Sequence, residues 1–366
     1  MTQISAKIVA DSINPQGDRL STVLITFPRF ILAELNTHRM LSKNSASSRA
    51  IPFDKMVQSV KEDPFIPIAV QWDHKGMQGN SYFPEREYKA FVASWLNARD
   101  YAVRSAEQLY GQGATKQLCN RLLEPFMWHT VLISGTEFSN FFNLRCPQYT
   151  TPVMGEGFYA KSWKDLIANH SDPDNIAKLE SMGTIEKLQH NKGQAEIHMM
   201  ALAEAMWDAM NESTPKELHP GGWHIPFLDK IDQQSLFAGQ MMVQSIRHQQ
   251  AAYLDANIKI STAMCARTSY TVVGDEKEFT TKQQIDLHDK LTTSGHYSPF
   301  EHCARAMSDE EYKQFGKSHP DDNNVEGCDY VADYCHEDIH LSFQQGWCLN
   351  YKGFIQYRYL LQNSLI

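Results

Sequence analysis

The sequence predicts a mixed α+β fold, since one segment has the pattern of a strand and several others have the pattern of amphipathic helices. Residues 21–27, STVLITF, are rich in β-branched side chains and end at Pro28, which indicates a strand. Residues 85–110 repeat apolar side chains every three or four positions before Gly111, which indicates a long helix. The chain has 366 residues, of which 42% are hydrophobic, and this is enough for a substantial core.

The remaining elements follow from the same signals along the chain. Pro28 suits the first turn of a helix over 28–40. Further helices are predicted at 115–125, 135–145, 193–210 and 280–295. Residues 146–192 are rich in turn residues and predict an irregular excursion with one short helix around Trp163. The apolar and aromatic residues of 341–361 predict a segment that packs into the core.

A stretch rich in proline and glycine divides the chain at 213–230. It predicts a linker between a part at 1–212 and a part at 231–366. The two parts can also form one compact fold, because permuted or split sequences are tolerated when their ends lie close in space.

Composition excludes several classes of partner. The formal net charge is −9, so we expect no broad basic surface for nucleic acid, and any anion site must be local. No signal segment and no bilayer-spanning run is evident, so we expect no membrane partner. The seven cysteines are dispersed, which predicts free thiols in a reducing cytoplasm, and no common metal-binding spacing is present.

The stretch THRMLSKNSASSR, at 37–49, concentrates groups that bind anions. Arg39 and Arg49 carry guanidinium groups, which pair well with phosphate. Short hydroxyl and amide side chains accompany them at Ser42, Asn44, Ser47 and Ser48. Near the end of a helix, such a set can cradle a nucleotide phosphate. A solvated polar loop explains the stretch equally well when it is taken alone.

Three further segments carry polar groups in patterns that suit a site. One is CARTSY at 265–270, and another is GHYSPFEH at 295–302. In the latter, His296 or His302 can act as an acid or base, or be a buried, hydrogen-bonded histidine. The third segment, NFFNLR, ends an apolar helical face with Arg145. That guanidinium needs a partner, either a carboxylate of the protein or a ligand.

Together these segments resemble the motifs of the flavin-dependent thymidylate synthase family. Residues of the family signature Arg-His-Arg-x-x-Ser-x-Asn-Glu-x-Ser-x-Arg-Tyr are matched at His38, Arg39, Ser42, Asn44, Ser47 and Arg49. The Ala-Ala-Arg-Val-Ser segment resembles 265–269, and the Gly-His-x-Ser/Thr-Pro-Phe-Glu-His segment is nearly verbatim in 295–302. The Asn-Phe-Leu-x-Leu-Arg segment is similar to 140–145, and the helix before Pro125 places Arg121 on the family's phosphate-binding arginine.

The order of the motifs differs from that of the family. The Gly-His segment precedes the Arg-His-Arg motif in the family but follows it here by about 250 residues. We therefore expect a circular permutation, or descent from a tandem copy that lost complementary parts.

Several positions also depart from the family pattern. Thr37 replaces the first arginine of the signature, Ser45 the glutamate and Ala50 the tyrosine. Glu34 stands where the family usually has glutamine, and Lys192 where it often has histidine. At least two cations near the flavin are absent, which predicts flavin binding that differs from the family's, is weaker, or is lost.

The resemblance implies a curved, mostly antiparallel sheet packed with long helices. It also implies FAD as cofactor, with NADPH and methylenetetrahydrofolate as co-substrates. C5 of the pyrimidine becomes nucleophilic only if negative charge builds on the ring, and a fixed cation beside the ring carbonyls lowers that barrier. The implied catalytic residues are Arg145 for this role and His296 beside the flavin or folate ring. The implied flavin contacts are His38, Arg39, Asn140, Ser269 and Ser298. The expected nucleotide contacts are Ser45, Ser47, Ser48, Arg49, Arg121 and Glu34.

The resulting hypothesis is flavin-dependent C5 methylation of dUMP with a folate one-carbon donor. Two alternatives stay open: C5 hydroxymethylation or hydroxylation of dUMP or dCMP, and a catalytically degenerate relative that binds nucleotide. The pair Ser45 and Glu34 favours a cytosine nucleotide, because a carboxylate accepts a hydrogen bond from an exocyclic amine. Family members are homotetramers with sites at subunit junctions, so we expect a cytoplasmic homo-oligomer.

Overall fold

The computed structural model describes residues 2–76, 79, 81–151, 159–234, 236, 246–270, 273, 278–316 and 345–366. Ten strands are present in this part of the chain: β1 Ser5–Ile13, β2 Arg19–Pro28, β3 Ser42–Ser45, β4 Trp128–Gly135, β5 Lys216–Glu217, β6 Trp223–His224, β7 Ala304–Ala306, β8 Trp347–Cys348, β9 Tyr351–Lys352 and β10 Phe354–Gln356. Together with the helices they confirm the predicted α+β class.

The described helices are spread along the chain between these strands. The N-terminal ones are α1 Leu32–Leu35, α2 Phe53–Glu62, α3 Glu85–Gly111, α4 Lys116–Cys119 and α5 Ser139–Arg145. The middle ones are α6 Trp163–Ala168, α7 Pro173–Glu180, α8 Thr184–Gln189 and α9 Ile197–Glu212. The C-terminal ones are α10 Ile246–Arg267, α11 Thr281–Thr293, α12 Asp309–Gln314 and α13 Tyr357–Gln362. Short 3-10 turns lie at Arg29–Ile31, Asn120–Phe126, Leu228–Lys230, Thr268–Tyr270 and Ser298–Glu301.

The sheets explain how distant parts of the chain meet. The largest sheet has the order β3-β4-β2-β1-β5. Its first four strands pair antiparallel, and β5 adds to β1 in parallel. A second sheet joins β10, β7 and β6, so it pairs a strand of the predicted linker with two strands that follow the linker.

Both faces of the five-stranded sheet are covered. On one face, here named the α9 face, Ile25, Phe27 and Val131 pack with residues of α5 and α9 such as Phe141 and Met199. Burial of such side chains contributes about 1.5–3 kcal/mol each. On the opposite face, named the α10 face, Leu132 packs with Phe227 and with Cys265 of α10. The strands are apolar on both sides because both sides are core.

Several predicted elements differ in extent from the structure. The helix expected over 28–40 is reduced to a 3-10 turn and α1, because the chain must reverse before Ser42 to pair with β4. The helix expected at 115–125 is α4 followed by a 3-10 turn, in which Pro125 removes a backbone donor. The described residues of the excursion, 146–151 and 159–192, form three helices, α6 to α8, rather than one. The predicted linker carries β5 and β6.

Two further expectations concern cysteines and membranes. Five cysteines lie among the described residues, and all five are free and buried. No helix in the described ranges combines the length and apolar character that a bilayer-spanning segment needs.

A buried series of hydrogen bonds links the α10 face of the five-stranded sheet to β6, in the segment that follows α9. Ser12 Oγ is bonded to His224 Nδ1 (2.9 Å), and His224 Nε2 to Thr22 Oγ1 (2.8 Å). Thr22 Oγ1 is bonded in turn to Ser134 Oγ (2.6 Å), and Ser134 Oγ to His302 Nδ1 (2.8 Å). Complete burial lowers the pKa of both His224 and His302 to about 3. His302 is therefore a buried neutral histidine rather than an exposed acid or base.

These two histidines predict acid-sensitive stability. Below pH 6.5 the unfolded chain takes up protons that the folded chain accepts only near pH 3. The free energy of unfolding should therefore fall as pH drops through this window, by roughly 1 kcal/mol per pH unit for each histidine. Urea unfolding between pH 4 and 7 measures this slope. His302→Gln should flatten it, whereas His219→Gln, at an exposed position, should not. An equal slope in both variants would contradict the assignment.

Candidate functional site

The candidate site is organised by β3, which forms an edge of the five-stranded sheet. Lys43 and Ser45 lie opposite Ile133 and Val131 of β4, so they share the α9 face. Asn44 lies opposite Leu132 and therefore shares the α10 face. One short strand thus presents predicted site residues to both sides of the sheet, as the two-residue period of a strand requires.

On the α9 face, Arg145 at the end of α5 binds the segment before β3. Its Nε donates to His38 Nε2 (3.0 Å), its Nη1 to Glu34 Oε2 (3.2 Å) and its Nη2 to Thr37 Oγ1 (3.4 Å). The His38 ring also packs edge-on against Phe141 of α5. Of the two partners that the sequence left open for Arg145, the structure shows the carboxylate, and the side chain remains 20% exposed.

Burial and charge set the protonation of this cluster. Burial, together with the nearby positive charges of Arg145 and Lys43, lowers the pKa of His38 to about 4. His38 is therefore neutral at pH 7, and its Nε2 is free of a proton and able to accept from Arg145. Burial raises the pKa of Glu34 although Arg145 acts in the opposite direction.

Lys43 belongs to this cluster but was not predicted from the sequence. Its Nζ donates to the carbonyl oxygens of His38 and, at 3.2 Å, of Leu41. Burial lowers the pKa of Lys43 to about 8. A lysine with a lowered pKa beside a cluster of predicted site residues is typical of functional sites. Lys43 bonds to backbone carbonyls, which any residue type carries, so the sequence around it gives no sign of these contacts. Its position inside the 37–49 motif was the one available signal.

On the α10 face, Asn44 gathers the second and third motifs. Its Nδ2 donates to the carbonyl oxygen of Cys265 (2.5 Å). Its Oδ1 accepts from Ser269 Oγ (3.3 Å) and from Ser298 Oγ (3.4 Å). The end of α10 and the turn after α11, each more than 200 residues after β3 in sequence, therefore both meet β3 at one amide side chain.

The loop after β3 meets the segment that carries Arg121. Asn120 is fully buried, and its Nδ2 donates to the carbonyl oxygens of Ser48 (2.9 Å) and Ile51 (3.4 Å). The backbone N–H of Ser47 donates to the carbonyl oxygen of Ser269 (3.0 Å). The loop at 47–51 is thus held between α4 and the end of α10, with Arg49 exposed.

The remaining predicted residues occupy the rim of these clusters. Arg39 is exposed beside the buried His38, and Asn140 is half-buried in α5. His296 is exposed at the turn that precedes Ser298. Ser45 lies on the α9 face, where its Oγ is 2.7 Å from His129 Nε2. The structure brings the motif residues to the two faces of β3 and its adjoining loops.

A cavity of about 410 Å³ lies elsewhere, between α2 and the start of β4. Its lining combines polar side chains such as Lys55 and Asp63 with the apolar side chains of Met127 and Trp128. None of the residues predicted for the site lines this cavity. In the described part of the chain, no group of three or more metal-binding side chains is positioned to hold a metal ion.

The groups around Asn44 that a cofactor can reach are the hydroxyls of Ser269 and Ser298, because the Asn44 amide is buried and bonded to protein groups. Hydroxyl groups can donate to and accept from the polar edge of a ring cofactor. The exposed guanidinium of Arg39 suits a diphosphate. Thr37, at the position of a family arginine, supplies a hydroxyl that is already bonded to Arg145.

Comparison with solved structures gives matches to the UMP/dUMP methylase PolB from Streptomyces cacaoi. The complex with 5-Br UMP has 12% sequence identity and a TM-score of 0.39, covering 58% of this chain and 90% of that chain. The complex with 5-Br dUMP has 14% identity and a TM-score of 0.34, covering 52% and 94% respectively. No family model and no curated protein matches the sequence. The activity of this chain must therefore be argued from its own residues.

Asn44→Ala tests the junction on the α10 face. The change leaves the Cys265 carbonyl without its donor and the two serine hydroxyls without their acceptor, so the free energy of unfolding should fall by about 1–3 kcal/mol. Urea unfolding measures the difference. Asn36→Ala, at an exposed position, is the matched control and should be close to neutral. Equal stability of the two variants would show that Asn44 does not join these segments.

Proposed function

We propose that this protein binds a pyrimidine deoxynucleotide beside Arg145 and modifies its C5 position, with methylation of dUMP as the default reaction. The observation that carries the proposal is the geometry of Arg145. Three of its N–H groups are directed to His38, Glu34 and Thr37. A guanidinium has five N–H groups, so a rigidly held cation retains two N–H groups for a ligand.

This arrangement matches what C5 chemistry requires. C5 can attack a one-carbon donor only after negative charge has built up on the ring and its carbonyl oxygens. A cation that is already oriented stabilises that charge without reorganisation. Neutral His38 and the carboxylate of Glu34 orient Arg145, while Phe141 restricts the His38 ring. The protein therefore supplies electrostatic stabilisation, and within the described ranges every cysteine is buried.

The nucleotide phosphate is assigned to the loop after β3. Ser47, Ser48 and Arg49 lie on this loop, and Asn120 holds it against the segment of Arg121. Hydroxyl, backbone N–H and guanidinium donors are the usual partners of a phosphate. The phosphate would then lie at the loop after β3 and the base at Arg145. Strand β3 connects these two places.

The edge of the sheet at β3 is assigned to the flavin. His38, Arg39 and Asn140 beside Arg145, together with Ser269 and Ser298 on the α10 face, would hold FAD, with His296 at its rim. When bound, reduced flavin supplies the hydride that converts the transferred carbon into a methyl group, with methylenetetrahydrofolate as carbon donor and NADPH as reductant. The chain's own contribution is to orient the base and to stabilise charge on it.

A cytosine nucleotide is the second candidate substrate, and the position of Glu34 favours it. Glu34 lies beside Arg145, and its second carboxylate oxygen can accept from an exocyclic amine. Titration with dUMP and dCMP separates the two substrates. Glu34→Gln should reverse any preference for dCMP, and a clear preference of the native protein for dUMP would exclude the cytosine hypothesis. The mass of the product distinguishes a methyl from a hydroxymethyl or hydroxyl group.

Arg145→Gln tests the proposed reaction. Loss of the cation should lower kcat for C5 modification about a hundredfold or more, with a smaller effect on the KM for the nucleotide. Arg104→Gln is the control, because Arg104 stacks on the exposed Tyr101 ring of α3 and lies outside the cluster. Turnover is measured as release of label from C5 of the nucleotide.

Two results would contradict this proposal. Unchanged kcat in Arg145→Gln would show that the pyrimidine does not react at this cation. Purified native protein that lacks flavin absorbance, fails to bind added FAD and still binds dUMP would identify a nucleotide-binding relative without the flavin reaction.

A further inference from the structure

Two arginines and a glutamate beside Ser45 form a cluster that no sequence motif predicts in full. Arg29 Nη2 lies 3.5 Å from Glu124 Oε1, and Arg121 Nη1 lies 3.5 Å from the same oxygen. The Arg29 side chain is 17% exposed and that of Glu124 is 24% exposed, while Arg121 is 57% exposed. The cluster therefore opens to solvent on the side of Arg121.

Glu124 satisfies neither arginine well. Charge-assisted hydrogen bonds between a guanidinium and a carboxylate are normally about 2.7–2.9 Å long. One carboxylate oxygen held at 3.5 Å from two guanidinium nitrogens is too far from both for a close ion pair. A phosphate carries more negative charge and has three acceptor oxygens, so it can bond to both arginines at once.

His129 holds Arg29 in this position. Arg29 Nη1 donates to His129 Nε2 (3.0 Å), and Ser45 Oγ is 2.7 Å from the same nitrogen. Burial, with the nearby charge of Arg29, lowers the pKa of His129 to about 3. A neutral His129 accepts from Arg29 instead of repelling it, so the histidine links Ser45 to the arginine pair.

The position of the cluster agrees with the phosphate loop. Arg121 follows Asn120, which is bonded to the Ser48 and Ile51 carbonyls. Arg29 directly follows β2, and its backbone N–H is bonded to the Met127 carbonyl (2.9 Å). The arginine pair is therefore anchored to both the sheet and the loop.

We propose that Arg29 and Arg121 form a two-guanidinium site for the phosphate of the nucleotide, and that Glu124 is an internal anion which the phosphate displaces. This inference rests on the proposed function, since it names the group that binds the phosphate of the same substrate. Arg29 then selects a nucleotide over a nucleoside by binding its phosphate, and His129 is the positioning residue that holds Arg29.

The test compares binding of dUMP, 2′-deoxyuridine and inorganic phosphate to the full chain by isothermal titration. Arg29→Gln should weaken dUMP binding about tenfold to a hundredfold, which corresponds to the loss of one charge-assisted contact. Glu124→Gln removes the competing anion and should tighten dUMP binding about threefold to tenfold. Neither change should alter binding of 2′-deoxyuridine. Arg86→Gln, at an exposed position, and Glu107→Gln, which removes a surface pair with Lys61, are the matched controls.

The outcomes separate this inference from the proposed function. Tighter dUMP binding by Glu124→Gln supports the inference, and a gain of affinity cannot arise from misfolding. Unchanged dUMP affinity in both site variants, with dUMP still preferred over 2′-deoxyuridine, would overturn the inference and leave the proposed function intact. Arginine-dependent binding of inorganic phosphate with equal affinities for dUMP and dAMP would support the anion site but contradict a pyrimidine substrate.

Discussion

The pairing of β3 with β4 is the constraint on which the site depends. Because β3 is an edge strand, its backbone is fixed on one side only, and its side chains alternate between two covered faces. Lys43 and Ser45 join the α9 face with Arg145, while Asn44 joins the α10 face with Ser269 and Ser298. A shift of the register by one residue would exchange these faces. The proposed nucleotide and the proposed flavin would then both lose the side chains that contact them.

An acidic protein can hold an anion only where positive charge is concentrated locally, and burial helps to achieve this here. The histidines at 38 and 129 are neutral because burial lowers their pKa values to about 4 and about 3. Each neutral ring accepts a hydrogen bond from an arginine, Arg145 in one case and Arg29 in the other. Both guanidinium groups are thereby oriented without the repulsion that a protonated histidine would add. Each guanidinium group therefore attracts an anion that lies beside it.

Elements that depend on a local sequence pattern could be predicted from the sequence. Contacts between residues that are distant in sequence could not. The β-branched residues of β2 and the apolar periodicity of α3 and α11 are local signals, and the structure confirms all three elements. Strand β1 was missed because its side chains are mostly half-buried, which weakens the alternation. The motif residues 38–49, 145 and 295–302 were identified from the sequence. Arg29, His129 and Glu124 were not, since their contacts link residues about 100 positions apart.

A crystal structure of the protein soaked with dUMP tests the role of Arg145 most directly. We expect a pyrimidine carbonyl oxygen within hydrogen-bonding distance of an Arg145 Nη atom and a phosphate at the loop after β3. Nucleotide density in the cavity between α2 and β4, with Arg145 still bonded only to Glu34, His38 and Thr37, would contradict it.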